Sequence, residues 1–281
     1  MDVTHIIYDE KTDEVFVGIF FPFANFTQVY SSTGEYKRKI AVPGVSFDKV
    51  INFDEHSLFV YSDNPDIAKY HKERGFPQVV GNNYDQFLLI SKTDGEVIDN
   101  IKLPPYELVF IASDGCMIMK PKKLVKCPEG VLICNPETDT VYLYSKDRLL
   151  TPVLYKTPPV THSDPMVILN NCMDVGRYQF MELITMIREN GEYPPVKYLF
   201  RDKNSGEIFR QKIVIPEYKG EEFYIGLHRF LVNDDNTIRY ELDLCELKQA
   251  YREGRLSGGL KELVSTLKDD DNNVFMMVSF K

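Results

Sequence analysis

The sequence predicts an all-β fold, a β-propeller of four-stranded antiparallel blades, on three observations. A hairpin phrase recurs: Phe26–Pro43 (FTQVYSSTGEYKRKIAVP) returns as Phe87–Pro104 (FLLISKTDGEVIDNIKLP). Each copy has an apolar run, a polar tip ending Gly-Glu, and an alternating run that stops at proline. The copies succeed one another at roughly sixty residues, beyond the roughly 40–50 of common blades but still a repeated sheet module. Finally, 17 Tyr and 18 Phe with no Trp suit pleated surfaces better than helices. Such sheets have two faces to bury, and neighbours standing in a ring bury both. At 281 residues the chain can build a large core, read as a single domain over 1–281.

Five units follow in order. Residues 3–43 open with strands Val3–Tyr8 and Glu14–Phe20 around the turn DEKTD, and end with the first hairpin phrase. Unit 47–104 repeats this plan, since FDKVINFDEHSLFVYSD echoes VTHIIYDEKTDEVFVG. A polar insertion, Asn64–Asn83, separates its halves; loops that long are functional or mobile. Unit 107–158 has turns at Ser113-Asp114-Gly115 and Cys127–Gly130, then a worn hairpin copy, Val141–Pro158, that lacks its glycine near Arg148. Unit 166–216 carries the apolar run Tyr178–Ile187 and the third good copy, Lys197–Pro216, with one extra residue in its exit strand. Pro158-Pro159 and Asp164-Pro165 serve as connectors, because proline cannot donate to a central ladder.

Unit 221–281 departs from the plan with a short helical insertion. Strands Phe223–Val232 and Thr237–Leu242 precede a helix opened by Asp243 with Glu246 three residues on, a variant of the capping box. It carries Leu244, Leu247 and Tyr251 on one side and stops near Gly254. A second helix follows Ser257, with Leu260, Leu263, Val264 and Leu267 at helical spacing, a stripe expected to pack on the sheet. Val274–Phe280 closes the chain as a strand.

A formal charge of −9 disfavours nucleic acid and anionic membrane surfaces, which are held by Lys and Arg. No membrane span or signal-peptide pattern is present. Five cysteines without a CxxC read as small buried residues, with neither a disulfide framework nor a zinc site. The chain has no GxSxG, HExxH, phosphate loop or GxGxxG, so no catalytic residue, cofactor or metal ligand set is predicted. The acidic runs 233–236 and 269–273 lack the spaced ligands of a calcium loop and read as turns.

Ligand-binding candidates lie where charged or aromatic residues meet strand ends. His228 and Arg229 sit inside the apolar run FYIGLHRFLV, where a charge must reach a channel, a partner or solvent. Arg177 and Tyr178 begin a strand, and Tyr70, His71 and Arg74 lie on the long insertion. On a central face these residues would suit an anionic or polyhydroxylated ligand; otherwise Arg229 pairs with a turn carboxylate and the others sit in solvent.

The hairpin phrase with its Ile-x-[Val/Leu/Ile]-Pro exit, together with the tail Ala250–Phe280 (AYREGRLSGGLKELVSTLKDDDNNVFMMVSF), resembles the six-bladed β-propellers of Bacteroidetes, relatives of the NHL-type propellers. The resemblance implies an exported protein, often a lipoprotein, of the periplasm or outer-membrane surface. It also implies a leader and an early blade that this sequence lacks, so a shortened six-bladed member is expected, with a complete five-bladed ring as the alternative. The functional expectation is a non-enzymatic module binding a small molecule, glycan or protein, with an envelope role in nutrient or glycan handling implied by the resemblance. The alternative is a metal-dependent hydrolase or lyase with its site on the propeller axis. Fold alone does not choose between them.

Overall fold

A computed structural model describes residues 2–20, 26–43, 45, 47–62, 79–81, 86–104, 106–108, 112–113, 116–117, 123–134, 139–185, 194–211, 213–220, 222–223, 230–232 and 237–279. These residues form a series of four-stranded antiparallel meanders of the β-propeller type, with two short helices. The chain groups into two compact units, one of Met1–Ile133 with Tyr142–Tyr155 and one of Cys134–Val141 with Lys156–Lys281.

The first unit holds two sheets and most of a third. Sheet 1 runs β1 (Asp2–Asp9), β2 (Glu14–Phe20), β3 (Phe26–Ser31) and β4 (Tyr36–Ile40) in that spatial order. Sheet 2 repeats the order with β5 (Lys49–Asn52), β6 (Ser57–Ser62), β7 (Gln86–Ser91) and β8 (Val97–Ile101). Sheet 3 comprises β9 (Lys123–Cys127), β10 (Gly130–Cys134), β11 (Thr140–Ser145) and β12 (Leu150–Tyr155). The first strands of the three sheets lie side by side, β5 touching both β1 and β9.

Strand alternation explains the packing, because successive side chains leave opposite faces. Leu58 and Val60 of β6 enter a core with Phe16, Val29 and Ile40 of sheet 1 and with Leu88 and Ile90. Their neighbours Phe59 and Tyr61 enter a second core with Phe87, Leu89, Val131, Ile133 and Tyr144. Every residue of β6 is therefore buried, and sheet 2 is covered on both faces. Each such side chain contributes on the order of 1.5–3 kcal/mol of burial energy.

The hairpin phrases are built alike. Gly34, Gly95 and Gly206 all have positive φ, the left-handed geometry that closes the turn. In the worn copy Arg148 takes this place at φ 60°, so the turn survives the loss of its glycine. The insertion of the second unit departs from the expected loop. Within it Val79–Gly81 is a strand, paired antiparallel with Tyr106–Leu108. A further small ladder joins Ala112–Ser113 to Cys116–Met117.

The second compact unit holds sheet 4, with β13 (Val167–Val175), β14 (Tyr178–Thr185), β15 (Lys197–Asp202) and β16 (Ile208–Arg210), and a two-stranded ladder of Ile213–Val214 with Glu222–Phe223. A three-stranded sheet follows: β17 (Phe230–Val232), β18 (Thr237–Leu242) and β19 (Val274–Ser279). Between β18 and β19 lie α1 (Leu244–Arg252) and α2 (Gly258–Thr266). Asp243 caps α1 as expected, accepting from the Glu246 N–H at 3.0 Å, and Leu244, Leu247 and Ala250 are buried.

The Ser-Gly-Gly-Leu motif of the tail has a local cause. The Glu217 carboxylate accepts from the N–H groups of Gly259 (3.1 Å) and Leu260 (2.9 Å), filling the start of α2. A Cβ on Gly258, at φ 56°, would meet the Glu217 Oε1 at 2.3 Å. Of the α2 stripe Val264 is buried, while Leu263 is largely exposed. Cys127, Cys134 and Cys172 are buried as expected, whereas Cys245, on the outer side of α1, is exposed.

Candidate functional site

At one end of every four-stranded sheet, the turn between its first two strands meets the turn between its last two. The N–H of the residue after strand three donates to the carbonyl of the residue before strand two. The pairs are Ser32 to Asp13 (3.3 Å), Lys92 to His56 (2.9 Å), Lys146 to Glu129 (2.9 Å) and Lys203 to Arg177 (3.0 Å). One backbone frame thus presents four different pairs of side chains. Rigid scaffolds that vary side chains at loop ends are where binding residues concentrate.

The tip of sheet 2 is the most heavily braced. Asp54 Oδ1 accepts from the N–H groups of His56 (2.9 Å) and Ser57 (2.8 Å) and from the Ser57 hydroxyl (2.7 Å). Burial pushes the Asp54 carboxyl up, but these donors outweigh it and hold it below the usual range. The buried Lys92 ammonium donates to the Asp54 carbonyl and to Asp9 Oδ2 of β1, each at 2.5 Å. Burial likewise raises the Asp9 carboxyl, and the hydrogen bond and charge of Lys92 bring it below the ordinary value. Alongside, Arg38 clamps Glu14 through two hydrogen bonds of 2.7 Å and donates to the Lys92 carbonyl. His56 projects from this braced turn with its side chain exposed, next to Glu55, which pairs with Lys11 at 3.4 Å.

In sheet 4 the tip holds two predicted residues, Arg177 and Tyr178. Arg177 Nε donates to Asp202 Oδ1 at 2.8 Å and its Nη2 to Oδ2. This guanidinium brings the Asp202 carboxyl down to about 2. The guanidinium lies 5.7 Å from the Tyr178 ring, and that ring meets Phe200 edge-on at 5.8 Å. Lys203 reaches Asp174 at 3.5 Å. The structure therefore brings Arg177 and Tyr178 together as a half-exposed cation beside an aromatic face. His228, Arg229, Tyr70, His71 and Arg74 lie outside the described residues.

Sequence reasoning passed over His56 and Lys92. The available signal was positional, since His56 and Arg177 each precede the second strand of their sheet, and aligning first hairpins as well as second ones pairs them. Among the described residues, Asp9, Asp13, Glu14, Asp54, Asp94, Asp202 and Glu253 are all shifted downward, so they stay ionised as acceptors. That arrangement offers fixed hydrogen-bonding and ion-pairing groups.

No protein-family model and no curated protein matches the chain. Solved structures do. A protein of Bacteroides fragilis whose name marks it as exported shares 14% identity over 99% of this chain and 77% of its own, with a TM-score of 0.61. TolB of Acinetobacter baumannii shares 11% identity, over 85% of this chain and 48% of its own, with a TM-score of 0.43. The β-propeller domain of the Trilobed protease of Pyrococcus furiosus shares 11%, over 85% and 77%, with a TM-score of 0.34. The first of these likenesses is one of fold. Among the described residues no helix is long and apolar enough to cross a membrane.

Proposed function

We propose that this protein is a non-enzymatic binding module that takes its ligand, a glycan, small molecule or protein segment, at the tips of its sheets. The observation that carries this reading is the common tip frame, which holds four different side-chain pairs in one backbone geometry. A frame that keeps lysine at one position in three sheets (Lys92, Lys146, Lys203) while the facing residue changes from His56 to Glu129 to Arg177 suits recognition. Among the described residues the proposed contacts are His56 in the first compact unit and Arg177 with Tyr178 in the second, each acting within its own unit; Tyr70, His71, Arg74, His228 and Arg229 stay candidates from the sequence alone. An envelope role in nutrient or glycan handling, and kinship with the six-bladed propellers of Bacteroidetes, are part of the proposal. The fold likeness to an exported Bacteroides protein supports both.

The test is a glycan and peptide array probed with the wild type, His56→Ala and Arg177→Ala. At least one ligand class is expected to bind, with affinity falling about tenfold or more in a variant of unchanged circular dichroism. Binding untouched by both substitutions, or turnover of an arrayed compound, would overturn the proposal.

A further inference from the structure

Sheet 1 has one face in the core, and on the other several large apolar residues are exposed. Ile7, Phe16, Val29 and Ile40 point toward sheet 2. By strand alternation and register, the opposite face carries Val3, Ile6 and Tyr8 from β1, Val15, Val17 and the buried Ile19 from β2, and Phe26, Gln28 and Tyr30 from β3. No charged residue occurs in that set. From β4 come Tyr36 and Lys39, the latter with its ammonium 4.0 Å from the centre of the Phe26 ring. Val3 is 57% exposed, Ile6 69%, Tyr8 51% and Tyr36 58%.

We infer that this face is where two copies of the chain associate, sheet 1 against sheet 1 about a two-fold axis. Area is the first argument. Tyrosines bury about 150–250 Å² each, so these four residues alone expose on the order of 500 Å². Val15, Val17, Phe26 and Tyr30, each less than about a third exposed, add on the order of 200 Å² toward the roughly 800 Å² per partner of a stable interface. Monomers rarely leave so large a contiguous apolar patch open.

Shape and charge select the occupant. An apolar sheet face is best covered by another sheet at about 10 Å. A two-fold contact needs only one self-complementary patch, which this chain supplies at its own concentration. The face is uncharged across three strands, so it calls for neither an acidic nor a basic partner. Its aromatics are already fixed: the Tyr8 hydroxyl donates to Asp13 at 2.9 Å, and Tyr36 meets Tyr30 edge-on at 5.8 Å. Little side-chain freedom remains to be lost on association.

Sedimentation velocity of the full chain across a concentration series tests this. The mass is expected to rise from 32.6 kDa to twice that value. Association should tighten with added salt, which screens repulsion between two chains of charge −9. Ile6→Lys, at an exposed position, should weaken it at least about tenfold without changing circular dichroism. Phe275→Lys, at an exposed residue of β19, should leave it unchanged. A monomer at every concentration, assembly continuing past the dimer, or loss of the dimer in Phe275→Lys but not Ile6→Lys would overturn the inference.

Discussion

His5 shows what a single side chain does to the strand that carries it. A one-residue irregularity between Val3 and His5 lets the imidazole lie across β2, where a Cβ on Gly18 would fall 2.0 Å from the ring. Its Nε2 is 3.5 Å from the Thr27 hydroxyl and its Nδ1 3.0 Å from that of Thr4. Burial penalises the charged form and lowers this histidine to about 4. The unfolded chain then binds the extra proton between about pH 6.5 and 4, so stability is full above that window and declines through it as pH falls. The expected loss is on the order of 1–2 kcal/mol, allowing for solvent at the ring edge. Denaturant melts of the wild type and His5→Gln at pH 7 and pH 4.5 check this. The variant should lose distinctly less stability between the two conditions, and equal losses would exclude His5 as the titrating group.

Among elements, the hairpin phrase was the most legible part of the sequence because everything that makes it is local. Alternation sets the two strands, and a left-handed residue closes each turn, Gly95 at φ 81° and Gly206 at φ 76° in two of the copies. Arg148 holds the same geometry at φ 60° despite its Cβ, a conformation that costs a non-glycine residue about 1 kcal/mol. Arg148→Gly is therefore expected to stabilise the protein by roughly 0.5–1 kcal/mol. A shift of the denaturant midpoint to higher concentration, with unchanged slope, is the readout; a shift to lower concentration would mean the Arg148 side chain holds the turn. The capping of α1 by Asp243 was legible for the same local reason. The pairing of Val79–Gly81 with Tyr106–Leu108 was not, since three-residue strands carry little periodicity and their partners are far apart in sequence.

At the scale of the molecule, what sequence could not show was how neighbouring sheets are tied. Lys92 meets Asp9 across 83 residues, and the Tyr144 hydroxyl donates to Asp99 at 2.6 Å across 45. No local pattern encodes such links, and the candidate site inherits that difficulty because its braces come from other strands. The repeat phrase did imply sheets that shield one another, and β6 is where this is most complete, with Leu58 and Val60 facing one way and Phe59 and Tyr61 the other. A strand wrapped on both sides surrenders its amide protons only when the surrounding body opens. In deuterated buffer, peptides spanning Ser57–Ser62 should be among the last to gain mass, well behind β4, whose Tyr36, Lys37 and Lys39 are exposed. Early labelling of β6 would mean the three sheets open independently. The same strand is then the clock of this unit: whatever loosens its neighbours on either flank is read out first as deuterium arriving at Phe59.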